Sequence, residues 1–135
     1  MRLTSDLYER IILAKQFMDA NYHEPIDLQQ VSGTAFLSRF HFHRLFTSVY
    51  KKTPHQYLTF RRIEKAKELL AENRPVKEVC QEVGFDSLPS FSSLFKKESG
   101  YAPQCYRNQA FRKKQQSAQA PRTVVPHCFL EMHKI

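Results

Sequence analysis

The chain reads as an all-α fold of seven helices, forming two helix-turn-helix subdomains joined by a linker helix. Three observations lead there. Apolar residues recur at helical spacing, as in Leu7, Ile11, Ala14 and Met18. Only 3 of 135 residues are glycine, so the composition suits a compact helical protein better than a loop-rich one. Finally, one half of the pattern returns in the other half at a nearly fixed offset.

The elements follow in order. An opening helix over about Asp6 to Asn21 is started by Thr4 or Ser5 and buries the Leu7, Ile11, Ala14, Met18 stripe. Asp27 followed three residues later by Gln30 makes a capping box for a short second helix through Val31 and Ser32. Ser38 caps a third helix that contains the stretch RFHFHRLF. A short helix, a tight connection and a second short helix with an amphipathic face constitute a helix-turn-helix. Pro54 then opens a longer helix to about Asn73, with Leu58, Ile63, Ala66, Leu69 and Leu70 on its buried side. Pro75 opens the next short helix, Gly84 turns it and Ser87 caps another. Gly100 ends that helix, and Pro103 starts the last, which contains Tyr106.

With an offset of 49, Ser38 maps to Ser87, Phe42 to Phe91, Leu45 to Leu94, Phe46 to Phe95, Pro54 to Pro103 and Tyr57 to Tyr106. With an offset of 48, Leu28 maps to Val76, Val31 to Val79 and Ser32 to Cys80, which places Cys80 where the two helices of a unit cross. The expected organisation is therefore 1–60 for the N-terminal helix and first helix-turn-helix and 54–73 for the linker helix. Residues 74–111 hold the second helix-turn-helix and final helix, and 112–135 are a basic C-terminal tail.

Charge narrows the function. The net charge is +8, from 21 Lys and Arg against 13 Asp and Glu. No acidic residue lies between Asp27 and Glu64, a window holding Arg39, Arg44, Lys51, Lys52, Arg61 and Arg62, and another acid-free window runs from Ser99 to Leu130. Keeping carboxylates off two segments suits a surface facing a polyanion. No apolar run approaches the ~18 residues of a membrane span, and the N-terminus carries charges where a signal peptide needs an apolar block, so no membrane partner is expected and a cytoplasmic location is. Cys80, Cys105 and Cys128 are odd in number, far apart and outside any C-x-x-C pattern, so reduced thiols are expected.

Within RFHFHRLF, helical geometry at about 100° per residue puts Phe42, Leu45, Phe46 and Val49 on one stripe and Phe40, His43, Arg44 and Thr47 on the opposite one. The first stripe is core. The second offers an aromatic, an imidazole, a guanidinium and a hydroxyl to base edges or to a partner. His41 and His43 are two residues apart and point away from each other, so they do not form a helical metal pair. His127, Cys128, Glu131 and His133 in the tail match no recognised ligand spacing. Neither a metal nor any other cofactor is expected, and no small-molecule ligand is apparent.

The segments LSRFHFHRLF, TPHQYL, RRIEKAKELL, VKEVCQEVGF and FSSLFKKESGYAPQCYR together resemble the DNA-binding domain of the AraC/XylS family of bacterial transcription regulators, over about Leu7 to Phe111. The resemblance implies a rigid linker helix that places two recognition helices in successive major grooves of double-stranded DNA, in a regulator that activates transcription from an asymmetric site. RNA polymerase becomes a candidate partner. Carried over by position, the base-reading residues are Phe40, His43 and Arg44 in the first unit, and Pro89, Ser92 and Ser93, with Lys96 beside them, in the second. Ser93 stands where the family often has arginine or another long polar side chain, and Phe36 and Lys51 stand at turns where many members have glycine. Phosphate contacts are expected from Ser38, Thr53 and Ser87 at helix N-termini and from Lys52, Arg61, Lys96 and Lys97. Arg62, next to the buried stripe of the linker helix, is either a phosphate ligand or one half of a structural ion pair. About six residues precede the first helix, so the chain is expected to be a stand-alone regulator or a fragment of a longer one. Two other readings compete: the DNA-binding part of a repair or multidomain regulator, in which Cys128 would have to be the reactive thiol, and a protein-interaction module. No catalytic residue is assigned, and the protein is not expected to be an enzyme.

Overall fold

The computed structural model describes residues 3–118, which form seven α-helices with no strand among them. They are α1 (Ser5–Asn21), α2 (Leu28–Thr34), α3 (Arg39–Tyr50), α4 (Pro54–Ala71), α5 (Val76–Glu82), α6 (Leu88–Ser99) and α7 (Pro103–Ala118). The chain divides into two units after Arg62, within α4.

Local chemistry starts the helices of the first unit. The Thr4 hydroxyl accepts from the Leu7 N–H at 3.2 Å and caps α1. At α2 the capping box is complete: Asp27 accepts from the Gln30 N–H at 2.8 Å, and the Gln30 side chain accepts from the Asp27 N–H at 2.9 Å. Asp27→Ala removes one of these bonds and should lower stability by about 0.5–2 kcal/mol, measurable as a lower Tm, whereas Asp27→Asn should recover most of the loss. The three helices close over Ile11, Ala14, Met18, Val31, Phe42 and Phe46, joined by Tyr57 and Leu58 from α4.

The second unit builds its core from the same positions of the repeat, with Val79, Cys80, Phe91 and Phe95 packing on Ile63, Ala66 and Leu70. The repeat extends to ring geometry. Phe42 and Phe46 have centroids 5.5 Å apart with planes at 48°, and their equivalents Phe91 and Phe95 lie 5.7 Å apart at 53°. Phe46 meets Tyr57 edge-on at 5.6 Å, as Phe95 meets Tyr106 at 5.3 Å. The offset of 49 thus relates side-chain packing as well as sequence.

The connections of the two helix-turn-helix motifs share a backbone but differ in residue. After α2, the Phe36 N–H donates to Gly33 O and the Leu37 N–H to Ser32 O; after α5, Gly84 donates to Gln81 O and Phe85 to Cys80 O. Both are Schellman motifs, which need a left-handed residue at the turn. Gly84 supplies it with φ +99°, and Phe36 with φ +54°. Likewise the left-handed residue after α6 is Gly100, φ +85°, while after α3 it is Lys51, φ +61°. The first unit keeps the turn geometry and accepts side-chain strain in place of glycine.

One expectation is corrected. The final helix does not stop near Phe111 but continues to Ala118, so 112–118 are helical and not part of the tail. Cys80 is buried and free, and burial, with the Asp86 charge, pushes its thiol pKa up, away from reactive thiolate. His127, Cys128, Glu131 and His133 lie outside the described residues. Among the described residues, no helix is long and apolar enough to cross a membrane, and no group of three or more His, Cys, Asp and Glu could hold a metal ion.

Candidate nucleic-acid interface

Helix α3 presents an outward face of mixed chemistry. Ser38 caps it by accepting the His41 N–H at 3.2 Å, and Phe42, Leu45 and Phe46 are buried beneath it. With that stripe inward, His43 and Arg44 are exposed and Phe40 is 76% exposed, although a Phe gains most by burial. The Arg39 guanidinium lies 5.9 Å from the centre of the Phe40 ring. His43 also borders a cleft lined by Met18, Ile26, Leu28, Val31 and Leu58. Thr47 departs from the helical wheel: its hydroxyl donates to the His43 carbonyl at 2.7 Å and is turned back onto the helix.

Helix α6 offers a shorter-limbed face. Ser87 caps it, accepting from the Ser90 N–H at 3.4 Å, and Phe91 and Phe95 anchor it inward. Pro89, Ser93, Lys96 and Lys97 are exposed, while Ser92 is half-buried.

The expected phosphate ligands other than Arg61 fall into three situations. Lys96 and Lys97 are exposed in the last turn of α6, where the helix dipole also favours positive charge. Lys52 rests its ammonium 3.8 Å from the centre of the Phe60 ring. The hydroxyls of Ser38, Ser87 and Thr53 serve as caps, Thr53 in a reciprocal box with Gln56 at 3.0 and 3.1 Å. What remains for an anion at these helix starts is the first-turn backbone N–H groups.

Arg61 and Arg62 are held by the first unit. Arg62 donates from Nε to Tyr22 O at 2.6 Å and from a terminal nitrogen to Glu24 O at 3.0 Å, fixing the segment after α1. Arg61 Nε lies 3.2 Å from Asp19 Oδ1, off the direction of a hydrogen bond, with its side chain 37% exposed. Asp19 also accepts from the Tyr57 hydroxyl and, at 3.0 Å, from Lys15. The bond to Asp19 raises the Lys15 pKa against the cost of burial, and burial raises that of Tyr57, with the Asp19 bond adding to it. Asp19 is the organising residue that the sequence reading missed. Its i,i+4 spacing to Lys15 is visible in the sequence, but its pairing with Tyr57, 38 residues on, has no local signature.

Two helix-turn-helix units, each with a core of paired phenylalanines and an outward second helix, define the class of protein to which the chain belongs: a helix-turn-helix domain of the kind found in transcription regulators. The model of the helix-turn-helix domain family matches residues 31–109, and the chain belongs to that family in its AraC/XylS type. The chain is 35% identical over 98 residues to the probable transcriptional regulator LumQ of Photobacterium leiognathi, covering 72% of this chain and 40% of that one. It is 34% identical over 92 residues to the MmsAB operon regulatory protein of Pseudomonas aeruginosa, covering 67% and 30%. The chain thus spans less than half the length of these relatives. Among solved structures it is similar to the DNA-binding domain of the global transcriptional factor AdpA in complex with a target DNA. That likeness has a TM-score of 0.74 and 27% identity, over 84% of this chain and 99% of that one. An AraC-type regulator from Chromobacterium violaceum gives a TM-score of 0.71 and 26% identity, over 76% and 93%.

Proposed function

We propose that the chain is a sequence-specific, double-stranded DNA-binding transcription regulator that acts in the cytoplasm by binding and not by catalysis. The observation that carries this is the outward face of α3, where Phe40, His43 and Arg44 stand exposed over a fully buried Phe42 and Phe46. A guanidinium there can bind guanine O6 and N7 bidentately, an imidazole can donate or accept at a base edge, and an aromatic can meet a thymine methyl. Pro89, Ser92 and Ser93 form the second reading face, on α6. We assign phosphate binding to Lys52, Lys96, Lys97 and the helix starts at Ser38, Thr53 and Ser87, with Arg61 joining if it leaves Asp19.

In this reading α4, an uninterrupted helix of 18 residues, links the units, and the two recognition helices enter successive major grooves of an asymmetric site. The functional segments are 1–60, 54–73, 74–111 and 112–135, the first part of the last being the end of α7. Activation, with RNA polymerase as partner, is the direction the family resemblance favours.

Selection of bound duplexes from random sequence should yield one asymmetric site of roughly two turns, about 20 base pairs. Affinity for random duplex should fall linearly on a log–log plot against salt, by about 0.9 per phosphate neutralised, and Lys96→Ala should lower that slope by about 1 without changing sequence preference. A flat salt response would remove the nucleic-acid reading.

A further inference from the structure

Phe36 is the residue that the function proposed above leaves without a purpose. It occupies the left-handed position of the first helix-turn-helix connection, at φ +54°, where its repeat equivalent is Gly84. It is also 80% exposed, the most exposed large hydrophobic residue among those described. A bulky side chain at positive φ is strained, and a solvated phenyl ring returns no burial energy to offset the strain. Glycine would remove both costs, and the other unit uses it. A strained, exposed residue that its own repeat does without is one whose side chain has a use outside the free fold.

The surroundings indicate which partner. The next residue, Leu37, packs toward the core, Ser38 caps α3, and Phe40 projects from its first turn. Phe36 and Phe40 therefore flank in sequence the start of α3, the end of a recognition helix that approaches bases. Arg39 and Arg44 are exposed on α3, and no carboxylate occurs in the sequence from Leu28 to Ile63. Any partner that reaches this turn meets cations without a balancing acid, which suits a phosphate backbone.

We infer that Phe36 is a DNA contact: its ring packs on the apolar edge of one strand, deoxyribose or thymine methyl, beside the bases read by α3. The inference rests on the reading role of α3, so the test includes Arg44→Ala as a separate arm.

The experiment measures binding of the full chain to its selected duplex, together with thermal unfolding, for the wild type, Phe36→Gly, Phe36→Ala and Arg44→Ala. Phe36→Gly should raise Tm by relieving the turn, yet weaken binding about tenfold, the scale of one good side-chain contact. Phe36→Ala keeps the strain and loses the ring; it should weaken binding by a similar factor without raising Tm. Binding equal to wild type in both Phe36 variants, with discrimination lost in Arg44→Ala, would overturn the contact while leaving the reading role of α3 in place. If only the glycine variant weakened binding, turn stiffness and not the ring would be responsible, and the contact would again be overturned. Unchanged DNA affinity with reduced transcription from a reporter would assign Phe36 to a protein partner, against this inference. Loss in both Phe36 variants with no effect of Arg44→Ala would support the contact and refute the reading role of Arg44.

Discussion

Phe46→Ala should cost about 3–5 kcal/mol and unfold the first unit at moderate temperature. Phe46 is fully buried and is the hub of the aromatic cluster, in ring contact with Phe42, Tyr50 and Tyr57 at centroid distances of 5.5, 4.7 and 5.6 Å. Truncation removes the transfer energy of the ring and leaves a cavity that Leu45 and Ile11 cannot fill, since both are already packed in the same cluster. Domains of this size are stable by only about 5–15 kcal/mol, so the loss is a large share of the total. Phe40, six residues earlier on the same helix, is exposed, and Phe40→Ala should change stability by less than about 0.5 kcal/mol. Thermal unfolding of the two variants side by side checks the inward and outward assignment of α3. A large loss from Phe40→Ala would show that its ring is buried and is not available to DNA.

The residues whose roles could be read from sequence are those whose neighbours are close along the chain. The period of α3 separated Phe42 and Phe46 from Phe40 and Arg44, and each falls on the expected side. The Asp27–Gln30 spacing specified a capping box, and the box is formed. The 49-residue offset places Phe91, Phe95 and Tyr106 in the second core, because both copies bury the same stripe. Features that depend on distant partners were not legible. Asp19 gathers Lys15, Tyr57 and Arg61 from two helices, and Arg62 finds its carbonyls 38 and 40 residues back. The end of α7 escaped for a different reason. RKKQQSA has no apolar stripe, so periodicity is silent there, and the helix continues on the favourable intrinsic propensities of Arg, Lys and Gln. Phe36 and Lys51 could be noticed at positions where glycine is usual, but whether the turn would change or the side chain would bear the strain required φ.

The second large effect concerns recognition. Arg44→Ala should leave folding intact, because the side chain is exposed and is no part of the buried cluster, yet it should relax sequence preference at one or two base pairs. A bidentate arginine contact is worth about 1–3 kcal/mol of discrimination, which corresponds to roughly 5–150-fold between the right and wrong base. Ser93, at the corresponding position of α6, carries a short hydroxyl that several bases can satisfy, so Ser93→Ala should alter preference little. The asymmetry follows from reach. The same outward position in two similarly packed helices holds a long planar donor in one and a short side chain in the other.

The most direct measurement is the affinity of wild type, Arg44→Ala and Ser93→Ala for a panel of duplexes carrying every single-base change across the selected site. A reading role centred on α3 requires Arg44→Ala to lose discrimination at one or two adjacent base pairs while Ser93→Ala keeps the wild-type profile. Greater loss of discrimination from Ser93→Ala than from Arg44→Ala would contradict it and move the reading role to α6.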